Sequence, residues 1–178
     1  MAFIPTRELA TMGFKSLGSD VLISDKCSIY SPSTISIGNK VRIDDYCLLS
    51  GEIILGNYIH IAAYNALYGK FGIIMEDFTG LSPRCTIFSA SDDFGGNYLI
   101  SPMPSEKFRN VTGGKITIKR YCQIGAGSII LPSVTLEEGV ALGAMSLVKK
   151  NLAGWNIYGG NPLRFIKKRE QGLLDFFK

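Results

Sequence analysis

The chain has 178 residues, 46% of them apolar, and a formal net charge of only +4 at pH 7. This length lies in the single-domain range, and the composition and charge exclude a disordered chain and give no reason to expect nucleic acid as a partner. The first residues, MAFIPTRELATMGF, lack the basic and continuous apolar regions of a signal peptide, and no run of about 18 apolar residues occurs. We therefore predict one cytoplasmic domain without membrane insertion.

Residues 1–20 are predicted to form an N-terminal cap. Within them, PTRELATMGF is typical of a short helix, because Pro5 lies where a first helical turn tolerates a missing N–H. A cap of this kind is what a stack of repeated units requires at its open end.

A six-residue repeat fills residues 21–88 and returns in residues 116–153. An aliphatic residue recurs every six positions, with one two-residue insertion, at Ile37, Ile43, Leu49, Leu55, Ile61, Leu67, Met75, Leu81, Ile87, Ile118, Ile124, Ile130, Leu136, Leu142 and Val148. Four residues after an aliphatic position, small or β-branched residues stand at Val41, Cys47, Ile53, Ile59, Thr79, Cys85, Cys122, Ser128, Val134, Val140 and Ser146. A helix places apolar residues three and four apart and a half-buried strand every two, so this period indicates short strands joined by corners.

Three such hexads make one triangular coil, and stacked coils bring their aliphatic corners into one continuous column. A β-sandwich of short strands is the structural alternative, but it requires hairpin turns and less regular spacing. We therefore predict an all-β solenoid, extended toward the N-terminus by the blocks around Ile23 and Ile29.

Two segments stand outside the repeat. Residues 89–115 contain charges and prolines without a six-residue register, and so long a stretch in a compact domain is usually functional, so we predict an excursion loop. Residues 154–178 are predicted to form an exit strand and a C-terminal helix, because LRFIKKREQGLLDFF has the pattern of an amphipathic basic helix interrupted at Gly172.

The four cysteines show no metal-binding spacing. Cys27, Cys47, Cys85 and Cys122 each follow an aliphatic corner by four residues, in the small inward slot of the hexad, where a thiol packs as a compact hydrophobe. We predict structural cysteines and no metal.

Three titratable residues are candidates for catalysis. His60, the only histidine, precedes the corner residue Ile61 in an outward slot, where it is either a general base or a packing residue at a subunit contact. Asp92 and Asp93 open the excursion loop. They are either turn formers or carboxylates that orient the base, bind sugar hydroxyls or accept an amine proton.

Basic residues gather behind the second block, at Lys149, Lys150, Arg164, Lys167, Lys168 and Arg169. Such a cluster is either a solvated face or a site for a ligand with a pyrophosphate and a 3′-phosphate, since ammonium and guanidinium groups pair with phosphate oxygens. Coenzyme A is a ligand of that kind.

The chain resembles the hexapeptide-repeat acetyltransferases, and among them the O-antigen, galactoside and maltose O-acetyltransferases. The resemblance covers nearly the whole chain and rests on SISIGNKVRIDDYC, NYIHIAAYNALYG, IGAGSIILPSVTLEEGVALGAMSLVKK and IYGGNPLRFIKK. It implies a left-handed β-helix, an exception to the usual right-handed crossover, and a homotrimer with active sites between subunits. It also implies acetyl-CoA as donor, a sugar as acceptor and a place in surface polysaccharide or lipopolysaccharide biosynthesis.

The resemblance implies CoA contacts at five positions. Ala126 and Ala144 match the small residues that line the pantetheine channel, Arg164 and Lys167 match the basic residues at the nucleotide end, and Lys149 matches a further contact.

The catalytic position departs from the family pattern, because this chain has Ser91 where the related O-acetyltransferases place their base histidine. The segment of His60 and Asn65 matches the part that supplies acceptor-binding residues from an adjacent subunit, so His60 and Asp92 are expected to face each other across an interface. Either His60 has become the base or the acceptor is an amine, and an amine suits a nucleotide-linked amino sugar.

We therefore predict direct acetyl transfer to a sugar hydroxyl or amine in a ternary complex. His60 is the expected base, assisted by Asp92 or Asp93, while Asn65 and Ser91 bind the acceptor. Proximity of the two substrates and a backbone amide near Ala126 would lower the barrier further. Transfer to simple hexosides or oligosaccharides is the alternative.

Two other classes share this type of fold. A γ-type carbonic anhydrase is excluded, because its zinc takes three histidines and this chain has one. A non-catalytic β-helix, such as an ice-binding or scaffold protein, would need neither the loop nor the basic exit strand.

Overall fold

Residues 2–177, described by a computed structural model, form a column of stacked triangular coils, the predicted left-handed β-helix. Its strands, in chain order, are β1 (Ser16–Leu17), β2 (Leu22–Ile23), β3 (Ser28–Tyr30), β4 (Ile35–Ile37), β5 (Arg42–Ile43), β6 (Leu48–Leu55), β7 (His60–Ile61), β8 (Ala66–Met75), β9 (Gly80–Leu81), β10 (Thr86–Phe88), β11 (Ala90–Ser91), β12 (Thr112–Gly113), β13 (Ile116–Ile118), β14 (Gln123–Ile124), β15 (Ile129–Ile130), β16 (Thr135–Leu136), β17 (Ala141–Leu142), β18 (Leu147–Val148), β19 (Asn156–Gly159) and β20 (Arg164–Lys168).

Each coil contributes one strand segment to each of three faces, and the strands of a face pair in parallel with those of the neighbouring coils. Face A runs β2-β5-β7-β9-β14-β17-β19 and ends on β20. Strands β6 and β8 are long enough to turn a corner and serve the other two faces in succession. The column therefore has parallel ladders along its whole length.

The predicted inward positions form the core. None of the fifteen aliphatic positions, and none of the eleven small or β-branched positions, is more than 4% exposed. Ile23 is fully buried, and Ile29 packs against the same cluster. Cys47, Cys85 and Cys122 are buried and Cys27 is half-buried, all as free thiols. Burial raises the pKa of Cys122 to about 12, so this thiol packs as an apolar group.

Bulky residues occupy the left-handed backbone region at the corners. Tyr58, Phe78 and Tyr121 have φ values of 56°, 59° and 61° at equivalent corners of successive coils. A positive φ is unfavourable for bulky side chains. Here it aligns their rings, with centroids 4.8 Å apart between Tyr58 and Phe78 and 5.3 Å between Phe78 and Tyr121. Stacked pairs of this kind contribute about 0.5–1.5 kcal/mol each and offset part of the backbone cost.

The two ends of the column differ in how well they were predicted. The N-terminal helix α1 (Thr6–Leu9) follows Pro5 and buries Leu9 against the first coils, as expected. The predicted C-terminal basic helix is wrong over its first half, because β20 pairs antiparallel with β19. Without β20, the outer edge of β19 would have unpaired backbone N–H and C=O groups. Pairing with β20 satisfies these groups, and this gain outweighs the local helix propensity. A 3₁₀ helix, Gly172–Phe177, is the last element of the described residues.

The excursion loop leaves and re-enters the column through a short ladder. Strands β11 and β12 pair antiparallel at its base, Leu99 and Arg109 form a bridge within it, and Glu106–Phe108 is a 3₁₀ turn. A further 3₁₀ turn, Pro32–Thr34, lies near the first corner. Strand β10 ends at Phe88 and β13 begins at Ile116, on either side of the loop. No helix within residues 2–177 is both long and apolar enough to cross a bilayer.

Candidate active site

His60 lies in an outward row of face A. The parallel register places it between Arg42 in the preceding coil and Gly80 in the following one, and Gln123 follows Gly80 in the same row. The side chain of His60 is 54% exposed, as its predicted outward slot requires. Because Gly80 has no side chain, the imidazole borders open space on the side of the later coils.

An aspartate not predicted from the sequence holds the imidazole. His60 Nε2 lies 2.8 Å from Asp44 Oδ2, while Arg42 Nε donates to Asp44 Oδ1 at 2.7 Å. The Asp44 side chain is only 10% exposed, whereas those of its two partners are about half exposed. Arg42 also lies over the ring of Phe3, 5.5 Å from its centroid. Arg42, Asp44 and His60 thus form a connected row across two coils.

The ionisation of Asp44 follows from these contacts. Its partial burial alone would raise the pKa, but the hydrogen bonds from Arg42 and His60 outweigh burial, so the pKa of Asp44 is lowered from its ordinary value of 3.8. The carboxyl group is therefore an anion at neutral pH and can only accept hydrogen bonds. A neutral His60 consequently carries its proton on Nε2 and leaves Nδ1 as a free acceptor.

The tautomer of His60 can be measured directly by NMR, because the chain has one histidine and its imidazole signals need no assignment among several rings. We expect two-bond nitrogen–proton NMR spectra of the neutral imidazole to show protonated Nε2 and unprotonated Nδ1 in the wild-type protein. Asp44→Asn should shift the population toward the other tautomer, since an amide can donate as well as accept. Asp45→Asn is the matched control, because Asp45 binds Ser24 and Lys26 instead. Protonation mainly on Nδ1 in the wild type would contradict this geometry.

A groove of about 420 Å³ adjoins His60. It is lined by Tyr58, His60, Ala62, Phe78, Thr79, Gly80, Leu81, Ser82, Pro83 and Gln123. A Cβ at position 80 would come within 2.7 Å of Gln123 Oε1, so glycine leaves room for the side-chain amide of Gln123 in the wall of the groove. The hydroxyl group of Ser82 and the amide group of Gln123 line this groove, and Gln123 Nε2 lies 3.4 Å from Ser82 Oγ. Apolar, aromatic and polar groups thus meet beside the imidazole.

Asp92 and Ser91 line a different pocket, of about 340 Å³, together with Phe88, Ala90, Phe94, Leu131 and Pro132. Ser91 Oγ donates to the backbone carbonyl of Asp92, and Asp92 Oδ2 accepts a long hydrogen bond of 3.4 Å from the N–H of Ser101. Within residues 2–177 no side chain lines both this pocket and the groove of His60. Within one protomer, His60 therefore lies in a different pocket from Ser91 and Asp92.

Asp93 shapes the loop. Its carboxylate accepts backbone hydrogen bonds from Gly95, Asn97 and Tyr98 at 2.8–2.9 Å. These bonds, with Gly95 the largest contributor, lower the pKa of Asp93 below its ordinary value of 3.8. Of the two predicted carboxylates, Asp93 matches the turn-forming alternative, and Asp92 is the one that lines a pocket.

Asn65 points into the column. It is 1% exposed, its Nδ2 donates to the carbonyl of Ala62 at 2.6 Å, and its Oδ1 accepts from the N–H of Cys85 at 2.8 Å. Both ends of its amide are satisfied by backbone, so Asn65 links successive coils and is not positioned to bind a substrate.

The positions predicted for CoA lie at the far end of the column. Ala126 and Ala144 occupy the same corner of successive coils, where the N–H of Met145 donates to the carbonyl of Ala126. Arg164 and Lys167 are exposed on β20, and Lys149 is exposed just after β18. Within residues 2–177, no group of histidine, cysteine, aspartate or glutamate could hold a metal ion.

Sequence reasoning missed Arg42, Asp44, Ser82 and Gln123. The length of the coil could have identified the residues that lie next to His60 on face A. Counting one coil of eighteen residues back from His60 gives Arg42 on the same face, and Asp44 lies two residues further on that face.

Comparison with known proteins identifies relatives along the full chain. The chain is 41% identical over 178 residues to an Escherichia coli dTDP-4-amino-4,6-dideoxy-D-glucose acyltransferase, covering 98% of this chain and 93% of that protein. No family model matches the chain.

Solved structures show the same fold. AntD, an N-acyltransferase from Bacillus cereus, is 50% identical, and the TM-score is 0.95 for a serine variant in complex with dTDP-4-amino-4,6-dideoxyglucose and CoA, covering 98% of this chain and 94% of that one. AntD in complex with dTDP and 3-hydroxybutyryl-CoA superposes with a TM-score of 0.94 over the same shares of the two chains. A maltose O-acetyltransferase from Clostridium difficile, 22% identical with a TM-score of 0.57 over 93% of this chain and 75% of that one, shares the fold alone.

Proposed function

Because this chain belongs to the hexapeptide-repeat acyltransferases of nucleotide-linked amino sugars, we propose that it acylates the amine of a dTDP-linked 4-amino-4,6-dideoxyhexose. The donor is an acyl-CoA. The observation that carries the proposal is the pairing of an open groove with an imidazole whose acceptor nitrogen is fixed by Asp44.

The donor end rests on three features of the chain. Small residues at the corner formed by Ala126 and Ala144 leave room for a narrow pantetheine arm beside the backbone. Arg164 and Lys167 on β20 supply cations for the phosphates of CoA. CoA is also bound by AntD, which is 50% identical to this chain.

The acceptor end favours an amine. Ser91 stands where related O-acetyltransferases have a base, and the carboxylate of Asp92 beside it attracts an ammonium group. An amine, once deprotonated, is a stronger nucleophile than a sugar hydroxyl and needs less assistance.

His60 acts as the general base in this proposal. We propose that the ammonium group first releases one proton to water. Nδ1 then takes a second proton from the neutral amine as its nitrogen attacks the thioester carbonyl, and Asp44 stabilises the imidazolium formed. The C–N bond forms, the C–S bond breaks, and the proton leaves on the thiol of CoA. Asp44 acts through His60 and is a positioning residue.

The complete site is proposed to lie between subunits of a homotrimer. The groove of His60 and the pocket of Asp92 are separate on one chain, and the loop side chains Phe94 and Met103 are 89% and 87% exposed. Packing the loop of one subunit against face A of the next would cover these apolar groups and bring Asp92 to the groove. We also propose a cytoplasmic location, where both substrates are made.

The proposal is tested by measuring CoA-thiol release with matched acceptors. We expect dTDP-4-amino-4,6-dideoxyglucose to be acylated at least about 10²-fold faster, in kcat/KM, than the analogue with a 4-hydroxyl group, because that analogue lacks the ammonium that Asp92 pairs with. Equal rates on the two acceptors, or faster transfer to simple hexosides, would reject the amine. Thermal-shift titration with CoA tests the donor separately, since a ligand of the folded state raises Tm with its concentration.

A further inference from the structure

Two of the four cysteines lie next to each other in the column. Cys27 and Cys47 occupy the same inward slot of successive coils, one residue before the parallel register of β3 and β6 places Ser28 opposite Leu48. Equivalent residues of paired parallel strands lie about 4.8 Å apart. A disulfide needs two Cα atoms about 4.4–6.8 Å apart, so the spacing of these coils is compatible with a bond between the two sulfurs.

The other two cysteines have no such neighbour. The slot after Cys47 holds Asn65, which lies between Cys47 and Cys85 and accepts a hydrogen bond from the N–H of Cys85. Cys122 lies at a different corner, in the slot that Thr79 occupies one coil earlier. All four cysteines are among the described residues, and Cys27 and Cys47 are the one pair in adjacent slots.

The two thiols of the pair differ in acidity. Cys27 Sγ donates to the carbonyl of Asp44 at 3.1 Å, and Cys47 Sγ donates to that of Ala62 at 3.0 Å. A hydrogen bond from the Cys47 thiol favours the Cys27 thiolate more than burial disfavours it, so the pKa of Cys27 lies below its ordinary value of 9.0. The contact with Cys27, together with burial, raises the pKa of Cys47. Cys27 is therefore the more nucleophilic thiol of the two.

The two thiols also differ in access. Strand β3 lies in the first coil and, within residues 2–177, pairs with a single strand, β6, so no further coil covers its other side. Cys27 is accordingly half-buried, whereas Cys47 is 1% exposed. A small reactant from solvent therefore reaches Cys27 before Cys47.

We propose that Cys27 and Cys47 form a redox-reactive dithiol, which a hydroperoxide converts to a disulfide within one chain. The Cys27 thiolate attacks the peroxide, so that an S–O bond forms, the O–O bond breaks and the departing oxygen takes up a proton. The sulfur of Cys47 then attacks the sulfur of Cys27. The S–S bond forms, the S–O bond breaks, and the released hydroxide leaves as water with the proton of Cys47. The two thiols lose two electrons and the hydroperoxide gains them.

The test treats the whole wild-type protein with hydrogen peroxide, blocks the remaining thiols with an alkylating reagent in denaturant, and maps the peptides without reduction. We expect the loss of two thiols per chain, a link between the peptides of Cys27 and Cys47, and recovery of both thiols with dithiothreitol. No link, a link that involves Cys85 or Cys122, or a disulfide between chains would overturn the proposal.

Serine variants are the matched controls. Ser128 and Ser146 occupy the same slot in later coils, where each hydroxyl donates to a backbone carbonyl, so serine fits this slot. Cys27→Ser and Cys47→Ser should each abolish the paired loss of thiols, whereas Cys85→Ser should leave the link unchanged. Circular dichroism checks that each variant folds, and the wild-type peptide map decides the question where a variant does not.

A trivalent arsenical tests the spacing of the two sulfurs without oxidation, because one arsenic atom bonds two thiolates only when they lie close together. Phenylarsine oxide should bind the wild-type protein and Cys85→Ser in a one-to-one ratio, and the ratio should fall to zero for Cys27→Ser and Cys47→Ser. Unchanged binding by either of the last two variants would show that these sulfurs are not the pair.

Discussion

Replacing His60 with alanine is expected to lower the rate of CoA-thiol release by about 10²-fold or more, as loss of a general base does. The imidazole borders the groove and its other nitrogen is bound to Asp44, so the alanine variant loses the acceptor nitrogen that Asp44 leaves free in the wild-type protein. The decrease should appear in kcat, with the affinity for CoA unchanged, because the donor's proposed contacts lie in later coils.

Asp44→Asn provides the second measurement. It preserves the shape of the side chain but removes the charge that fixes the tautomer, so the rate should fall with His60 still present. Asp45→Asn is the matched control on the neighbouring carboxylate and should keep most of the activity. A His60→Ala protein with a nearly full rate would remove His60 from the chemistry, whatever the effect of Asp44.

Mixed assemblies of the proposed homotrimer extend this experiment to the proposed subunit interface. His60→Ala and Asp92→Ala subunits, each expected to be slow alone, should regain part of the activity when co-assembled if the two residues act in one site from different chains. A mixture as inactive as its components would place them in separate sites or on one chain.

Truncating one inward side chain should have the largest effect on stability. Ile53→Ala is expected to lower the free energy of unfolding by about 2–5 kcal/mol, because Ile53 is fully buried in the column and its removal leaves a cavity. Ile54→Ala, the adjacent residue on the same strand, is 37% exposed and should cost less than about 1 kcal/mol. Urea unfolding followed by circular dichroism gives both values.

Both variants must be compared at one protein concentration, because assembly would add to the stability of the folded state. Equal losses for Ile53→Ala and Ile54→Ala would mean that the outward face is also buried, by another subunit.

The column was predictable because its period is tied to its geometry. A six-residue spacing fits one strand and one corner, so residues as far apart as Ile37 and Val148 could be assigned to the same interior without any knowledge of the loop. Local propensity failed where backbone pairing decided the structure, as at β20, whose sequence favours a helix but which completes the edge of β19.

The site was only half predictable for a related reason. The position of His60 in the hexad gave its outward direction, but its partner depends on the residues one coil earlier. Coils in this chain differ in length, since Ile23 pairs with Ile43 twenty residues on and Ile43 with Ile61 eighteen residues on. Asp44 could therefore be found only by counting this particular coil. Asn65, chosen from a family resemblance, lies inside the column because its slot is the inward one.

The loop joins the column through one two-residue ladder, β11 with β12, while the coils on either side of it pair directly with each other. The length and sequence of the loop can thus change during evolution without disturbing the register of the coils. Asp92 and Phe94 are part of the loop and change together with it. Descendants of one ancestral scaffold can in this way acquire new acceptors and donors by exchanging a single surface segment, while the inherited interior keeps folding as before.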